Sequence, residues 1–258
     1  MVEHDSGAEW AEPFPSHHKT TEDERLLESV EELETIGRDA WRIFRIMGEF
    51  VEGFEEMTPA GPAVSIFGSA RVAPGSLQYT TCVETARRLG EAGLSIITGG
   101  GPGIMEAANR GARLAGAKSI GCNIELPFEQ ATNPYVDISI DFRYFFVRKT
   151  MFVKYAQAFV IFPGGFGTMD ELFESLTLIQ TGKVRHFPVV LMGRAYWGGL
   201  LDWMRDQMAG EGKISVKDLD LVFLTDDPAA AADHIVRRLE RRREILHARR
   251  RTDWGPEL

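Results

Sequence analysis

The chain passes from an apolar run into a glycine-rich turn at Ala158-Phe159-Val160-Ile161-Phe162-Pro163-Gly164-Gly165-Phe166-Gly167-Thr168-Met169-Asp170-Glu171. The apolar run predicts a buried strand over 158–162, and the residues from about Thr168 predict a helix. The glycines allow positive φ angles and close approach of a ligand, while the first N–H groups of the helix and its dipole favour an anion. We interpret the turn as a phosphate site to which Thr168 adds a hydroxyl, with Glu171 one helical turn further on.

The same residues have a structural alternative. Thr168-x-x-Glu171 matches a capping box, in which two side chains satisfy backbone donors at the start of a helix. The neighbouring glycines favour the ligand site over this alternative.

Short apolar runs alternate with helical patterns from Ala63 onwards. This alternation predicts an α/β fold, a Rossmann-like open parallel sheet flanked by helices. Ligands of such sheets bind beyond the carboxyl ends of the strands. The predicted strands are 63–67, 94–98, 119–124, 158–162, 188–192 and 221–224, with a further short strand at 136–140.

Two more small-residue turns follow predicted strands at the same edge. Gly99-Gly100-Gly101-Pro102-Gly103 precedes a helix that contains Glu106, and Gly68-Ser69-Ala70-Arg71 ends the first strand. Each is also compatible with a tight turn that holds no ligand. Ile104 stands where a dinucleotide fingerprint needs its third glycine, and the P-loop pattern does not occur, so neither NAD binding nor ATP hydrolysis is supported.

A cation lies on an apolar helix face in the segment 143–155. Arg148 shares this face with Tyr144, Phe145 and Phe152. Burying a guanidinium without an acceptor is costly, so we expect a partner, either Glu171, another carboxylate, or a substrate phosphate or sugar. Instead of binding a substrate, Arg148 could form a purely structural ion pair. Lys149 could likewise extend its ammonium group into solvent without binding a ligand.

Composition restricts the class of protein. The 258 residues, 44% hydrophobic and 26% charged, suffice for one large α/β domain with an appendage. We find neither a run of ~18 apolar residues nor a signal-peptide pattern, so we expect a cytoplasmic protein without membrane contact. The formal net charge of −9 argues against general nucleic-acid binding, and Cys82 and Cys122 lack metal-ligand spacing.

The two ends of the chain add to the α/β unit. We expect a disordered tail at 1–20, a long N-terminal amphipathic helix at 21–57, and the Rossmann-like domain with a basic C-terminal helix at 58–258. For the eight arginines between 237 and 251, a solvated helix end, a contact with the acidic N-terminal helix and a phosphate-binding patch all remain open. The N-terminal helix has a continuous apolar stripe that needs the domain or another subunit as partner, formed by Leu26, Val30, Leu33, Ala40, Phe44, Met47, Val51 and Phe54.

Three motifs together resemble the LONELY GUY (LOG) family of cytokinin riboside 5′-monophosphate phosphoribohydrolases, which are often mislabelled as lysine decarboxylases. These motifs are Gly99-Gly100-Gly101-Pro102-Gly103-Ile104-Met105-Glu106, the Arg148-Lys149 pair, and Pro163-Gly164-Gly165-x-Gly167-Thr168-x-x-Glu171. The resemblance covers about residues 63–192. It implies a Rossmann-like nucleotide-binding fold, a dimer or an assembly of dimers, and a need for Arg148 and Glu171 in activity.

The chain also departs from many plant-like members of that family. Phe145 replaces a methionine three residues before the arginine, and the N-terminal and arginine-rich C-terminal helices are additions. The phrase 123–130, followed by Asn133-Pro134-Tyr135, resembles the longer bacterial branch.

These observations predict hydrolysis of the N-glycosidic bond of AMP or an N6-substituted AMP to free base and ribose 5-phosphate, without a metal or other cofactor. A carboxylate near the anomeric carbon stabilises an oxocarbenium-like sugar and orients water, a role suited to Glu171. The predicted catalytic residues are Arg148 and Glu171. The predicted substrate-binding residues are Gly68, Ser69, Gly99, Gly100, Gly101, Gly103, Glu106, Lys149, Gly164, Gly165, Gly167 and Thr168.

Two other functions are compatible with the motifs. A non-catalytic carrier of a nucleotide or of a molybdenum-cofactor-like ligand has a similar fold, but the presence of both Arg148 and Glu171 disfavours it. Lysine decarboxylation needs pyridoxal phosphate on a lysine, and Lys149, the nearest one, belongs to a pair that the hydrolase already explains.

Overall fold

The computed structural model describes residues 20–27, 35–126, 131–185 and 187–253. The expected tail up to residue 19, residues 28–34 of the expected N-terminal helix, and 127–130 of the family phrase lie outside the described residues.

Seven strands in the described chain form one parallel sheet in the order β4-β3-β2-β1-β5-β6-β7, which confirms the predicted α/β fold. Their side chains are mostly apolar and buried because helices cover both faces. The strands are β1 Ala63–Phe67, β2 Ser95–Thr98, β3 Ser119–Ile124, β4 Ile138–Phe142, β5 Ala156–Ile161, β6 Val189–Met192 and β7 Val222–Thr225.

The helices form two layers around this sheet. One hydrophobic core lies under α3, α4 and α8, and the other lies under α2, α5, α6 and α7. A π-helical turn at Met204–Ala209 extends α7, and 3₁₀ turns lie at Thr58–Ala60 and Val216–Leu221. The α-helices are α1 Glu22–Leu27, α2 Thr35–Met57, α3 Leu77–Glu91, α4 Ile104–Leu114, α5 Phe145–Tyr155, α6 Phe166–Gln180, α7 Arg194–Trp203 and α8 Pro228–Asp253. No described helix combines the length and the hydropathy that crossing a membrane requires.

Helix α2 packs on the domain with a different face from the one its apolar stripe indicates. Ile46, Phe50 and Met57 join the core. The stripe residues Phe44 and Met47 remain 63% and 56% exposed. Leu26 packs against the core, whereas Val51 is also 56% exposed, so the part of the stripe from Phe44 to Val51 is largely uncovered within one chain.

The same helix contributes directly to the start of α5. The buried Glu49 carboxylate accepts the backbone N–H groups of Arg143 at 2.8 Å and Tyr144 at 3.1 Å. Asp23 of α1 accepts the N–H of Phe145 at 3.1 Å. Acidic groups at the N-terminus of a helix accept hydrogen bonds from its free N–H groups and interact favourably with the helix dipole. The N-terminal helices thus cap the helix that carries Arg148.

Candidate functional site

A cleft of about 640 Å³ lies at the carboxyl ends of β1, β2 and β5. Strand β1 has β2, the next strand in the chain, on one side and β5 on the other. The order in which strands are added to the sheet reverses between β1 and β5, so the cleft lies at the topological switch point. We call it the β1–β5 cleft. It is lined by Phe67, Gly68, Ser69, Ala70, Arg71, Gly99, Met105, Phe145, Arg148, Phe152, Gly165, Phe166, Gly167, Thr168, Asp170 and Glu171.

The three small-residue turns are bonded to one another at this edge. The N–H of Ser69 donates to the carbonyl oxygen of Pro163 at 3.0 Å, and the N–H of Ile104 donates to the carbonyl oxygen of Ser69 at 3.1 Å. Gly103 has a φ of 68° and lies so close to Ser69 that a Cβ would collide with its carbonyl oxygen. Close approach of the turns, rather than a ligand, explains this glycine.

Helix α6 opens onto the cleft with a free N-terminal turn. Gly165 is its N-cap residue, and no side chain caps it. The N–H groups of Phe166 and Gly167 have no acceptor within the helix. Open space faces Gly165 and Gly167, since an added Cβ on either would meet no atom within 4 Å. The first turn can therefore accept an anion.

The capping-box alternative for this turn does not hold. Because Gly165 is the N-cap, Thr168 lies inside the first helical turn. Its side chain instead packs against Gly164, where an added Cβ would overlap Oγ1 of Thr168. Gly164 thus supports Thr168 and does not itself line the cleft.

Glu171 lies one turn further along α6, with its carboxyl group buried. The residue is 7% exposed, and Oε2 has no hydrogen-bond partner among the described residues. Burial raises the pKa of Glu171 to about 7, although the Lys149 ammonium opposes this rise. The carboxyl therefore exchanges a proton near neutral pH, which suits acid–base and electrostatic work.

Arg148 of α5 faces the same cleft and has no carboxylate partner. Its Nε donates to the carbonyl oxygen of Cys122 at 2.7 Å, and its guanidinium lies 5.1 Å from the centre of the Phe152 ring. No described carboxylate lies within 4.0 Å of it, so of the partners that the sequence left open, an ion pair with Glu171 or with another described carboxylate is not formed. Burial lowers the pKa of Arg148 and Glu171 partly restores it, but an arginine remains charged.

The turn after β2 holds Arg148 in place. A Cβ on Gly99 would overlap Nη2 of Arg148 and lie 2.8 Å from Sδ of Met105. Gly100 and Gly101 lie away from the cleft. Their carbonyl oxygens each accept a hydrogen bond from Nδ2 of the buried Asn133, at 3.0 Å. These two glycines shape the loop and do not line the cleft.

Two charged residues from the predicted substrate set have protein partners instead. Lys149 donates to Asp170 at 2.9 Å and pairs with Glu174 at 3.0 Å. Glu106 accepts the hydroxyl of Tyr79 at 2.8 Å. Neither Lys149 nor Glu106 lines the cleft.

The structure thus brings together eight of the fourteen residues that the sequence singled out. Gly100, Gly101, Gly103, Glu106, Lys149 and Gly164 stand behind the cleft as supports. Substrate binding and catalysis by any of the fourteen stay predictions. The eight residues at the cleft are Gly68, Ser69, Gly99, Arg148, Gly165, Gly167, Thr168 and Glu171.

The predicted site did not include the other eight lining residues, which are Phe67, Ala70, Arg71, Met105, Phe145, Phe152, Phe166 and Asp170. Arg71 lies four positions after the last residue of β1, so its position at the carboxyl edge of the sheet could have been predicted from the sequence. Asp170 and Phe166 lie within the glycine motif itself. Met105 belongs to the motif 99–106 that carries the family resemblance, but it was not assigned to the site.

Comparisons with known proteins agree with this fold. A family model described as "Possible lysine decarboxylase" matches residues 105–235. The protein named "Probable cytokinin riboside 5′-monophosphate phosphoribohydrolase LOGL5" from Oryza sativa subsp. japonica is 28% identical over 156 residues, which are 59% of this chain and 62% of that protein. The pyrimidine/purine nucleotide 5′-monophosphate nucleosidase of Escherichia coli (strain K12) is 32% identical over 126 residues, 45% of this chain and 28% of that one.

The matched region therefore spans less than two thirds of both relatives. Among solved structures, the molybdenum cofactor carrier protein of Chlamydomonas reinhardtii has a TM-score of 0.51 and 25% identity. That match covers 70% of this chain and 99% of that protein.

Proposed function

Since the chain belongs to the LOG family, whose model carries the description "Possible lysine decarboxylase", we propose that it hydrolyses the N-glycosidic bond of a nucleoside 5′-monophosphate. The products are the free base and ribose 5-phosphate, and AMP or an N6-substituted AMP is the proposed substrate. One observation carries this proposal: the free N-terminal turn of α6, the Arg148 guanidinium and the buried Glu171 carboxyl line one cleft of nucleotide size.

In the proposed complex, the 5′-phosphate binds the N–H groups at the start of α6. This places the ribose further along the helix, towards Glu171. The ionised carboxylate stabilises positive charge on the anomeric carbon as the bond to the base breaks. Glu171 then takes a proton from the attacking water, whose oxygen bonds to that carbon. The departing base leaves with the electron pair of the broken C–N bond and takes a proton from solvent, and Glu171 afterwards returns its proton to solvent.

The guanidinium of Arg148 is available to bind the substrate because no described carboxylate forms an ion pair with it. Its Nε is held by the Cys122 carbonyl oxygen, and the group lies over the Phe152 ring, so the guanidinium has a set direction. We propose that its terminal nitrogens bind the phosphate or a ribose hydroxyl.

The test is to incubate the protein with AMP and N6-isopentenyl-AMP and to measure free base and ribose 5-phosphate by chromatography. We expect base release by the unaltered protein and a loss of about 100-fold or more in Glu171→Gln and Arg148→Ala. Glu55→Gln and Arg243→Ala remove matching charges from exposed positions outside the cleft, and these controls should keep full activity. If the folded protein leaves a panel of purine and pyrimidine monophosphates intact, the proposal is wrong.

The description of the family as lysine decarboxylases does not fit this cleft. That reaction needs pyridoxal phosphate on a neutral lysine, and no described lysine lines the cleft. Burial alone would lower the pKa of Lys149, but its hydrogen bonds to Asp170 and Glu174 raise that pKa and keep the amine protonated. We therefore derive no step through pyridoxal phosphate.

A carrier without turnover is the second candidate. Its support is the likeness to the Chlamydomonas reinhardtii molybdenum cofactor carrier protein, at a TM-score of 0.51. Under this alternative, the cleft holds a nucleotide or a molybdenum-cofactor-like ligand as cargo. Tight, saturable binding of AMP with no release of adenine by the unaltered protein would favour the carrier.

We also propose a cytoplasmic homo-oligomer, a dimer or an assembly of dimers, without a nucleic-acid partner. The uncovered stripe of α2, including Phe44 and Met47, supports the oligomer, since large exposed apolar patches mark interfaces. The net charge of −9 disfavours nucleic acid. Light scattering after size-exclusion chromatography should show a smaller assembly for Met47→Glu than for the unaltered protein.

A further inference from the structure

A second large cavity lies at the β7 edge of the sheet. It has a volume of about 550 Å³ and shares no lining residue with the β1–β5 cleft. We call it the basic groove and define it by Phe187, Leu221 and Phe223 on its floor and Arg238, Arg241 and Arg242 on its rim. The proposed hydrolysis gives it no role.

The floor of the basic groove is apolar and largely aromatic. Phe187 is buried, and the ring of Phe223 stacks on the imidazole of His234 with centres 4.2 Å apart and planes 3° from parallel. Small-molecule sites typically have this size, with apolar walls and a few charged groups. The floor therefore suits the organic part of a ligand.

The rim presents three cations on one face of α8. Arg238, Arg241 and Arg242 follow the three- and four-residue spacing that places side chains side by side on a helix. No described carboxylate lies within 4.0 Å of any of these guanidinium groups. On α3, by contrast, Arg87 and Arg88 both pair with Glu84 at 2.7 Å.

The charge in the groove is unbalanced. Asp220 is the acidic member of its described lining, against the three arginines. Burial, together with the Arg238 charge, lowers the pKa of His234, so this imidazole stays neutral at pH 7. An excess of two positive charges therefore faces a cavity with an apolar floor.

We propose that the basic groove binds a nucleoside diphosphate or a similar small molecule with two adjacent phosphates. The guanidinium groups bind the phosphate oxygens, since arginine forms paired, charge-assisted hydrogen bonds with them. Arg238, Arg241 and Arg242 follow one another along one helix face, so they can engage two phosphates that lie side by side. The organic part packs on Phe187, Leu221 and Phe223. This site is separate from the proposed catalytic one and does not depend on it.

The test is calorimetric titration with ADP and with inorganic pyrophosphate at physiological salt. The Arg148→Ala variant removes a cation from the β1–β5 cleft, and we expect it to keep one saturable ADP site per chain. Replacing both Arg241 and Arg242 by alanine should weaken that site at least 10-fold. Arg243→Ala removes one positive charge from the same helix outside the groove, and ADP affinity should stay within 2-fold. Pyrophosphate should bind more weakly than ADP, because it leaves the floor uncovered.

Several outcomes would overturn the proposal. One is an ADP affinity that falls equally in the Arg243→Ala variant and in the variant altered at Arg241 and Arg242. Another is a folded Arg148→Ala variant, checked by circular dichroism, with no ADP site. Binding of heparin with a steep salt dependence, and of neither ADP nor pyrophosphate, would show a general polyanion surface instead. None of these outcomes bears on base release from AMP, so they are distinguishable from failure of the proposed hydrolysis.

Discussion

Replacing Glu171 by glutamine should stabilise the folded protein at neutral and alkaline pH. The carboxyl is buried, its Oε2 has no hydrogen-bond partner among the described residues, and burial raises its pKa to about 7. Glutamine keeps the shape of the side chain and cannot ionise. The variant therefore removes the cost of burying a charge, whatever the catalytic role of Glu171.

The size of the effect follows from the pKa. An ordinary glutamate has a pKa of 4.5, and Glu171 has one of about 7 in the folded protein. Each unit of difference between the two pKa values corresponds to about 1.4 kcal/mol. Ionising Glu171 therefore costs about 3 kcal/mol more in the folded state than in the unfolded state. Because the folded pKa is the higher one, the stability that the protonated carboxyl contributes is complete below pH 4.5 and is lost as pH rises through 7.

The assay is urea denaturation of both proteins from pH 5 to pH 8.5. The free energy of unfolding of Glu171→Gln, relative to the unaltered protein, should grow by about 2.5 kcal/mol over this range. Glu55→Gln alters an exposed carboxylate, and its relative stability should change by less than about 0.5 kcal/mol. A Glu171→Gln difference that is independent of pH would refute the reasoning, because it would mean that the buried carboxyl does not titrate in this range.

Three further predictions follow from the contacts of the site. The kcat/KM for AMP should rise through a pKa near 7, as Glu171 ionises, and Glu171→Gln should lack this step; a pH profile without it in the unaltered enzyme would count against the ionised carboxylate. Gly99→Ala should lower kcat/KM at least 10-fold by displacing Arg148, whereas Gly48→Ala, which meets no atom within 4 Å, should leave turnover unchanged. Glu49→Ala should cost about 2 kcal/mol of unfolding free energy because it leaves two N–H groups at the start of α5 without their acceptor, and Glu49→Gln should recover most of it in the same urea assay.

The sheet was predictable because its signal is local. Each apolar run lies between helical patterns, and parallel strands need crossovers, so the order of elements alone indicates an α/β fold. Differences are confined to the ends of elements. For example, β5 begins at Ala156 rather than at 158, and the edge strand β4 runs from Ile138 to Phe142 rather than over 136–140.

The site residues that directly follow a strand could be predicted from the sequence, because the end of the strand determines where they lie in the fold. Gly68, Gly99 and Gly165 follow three strands, and the carboxyl ends of parallel strands meet at one edge. The direction of a side chain on a helix is harder to predict. Lys149 directly follows Arg148 in the chain, yet it points to Asp170 and Glu174 while Arg148 faces the cleft.

The sequence by itself therefore determined the parallel sheet, the three turns at its carboxyl edge, and the presence of an arginine and a glutamate near a glycine-rich helix start. Only the tertiary structure decided the environment of those groups: the raised pKa of Glu171, the Cys122 carbonyl oxygen as acceptor for Arg148, and the face of α2 that packs on the domain. The physical reason is that hydrophobic periodicity and glycine turns depend on neighbours along the chain. Burial and charge balance depend on segments that meet only after folding, such as Arg148 on α5 and Glu171 on α6.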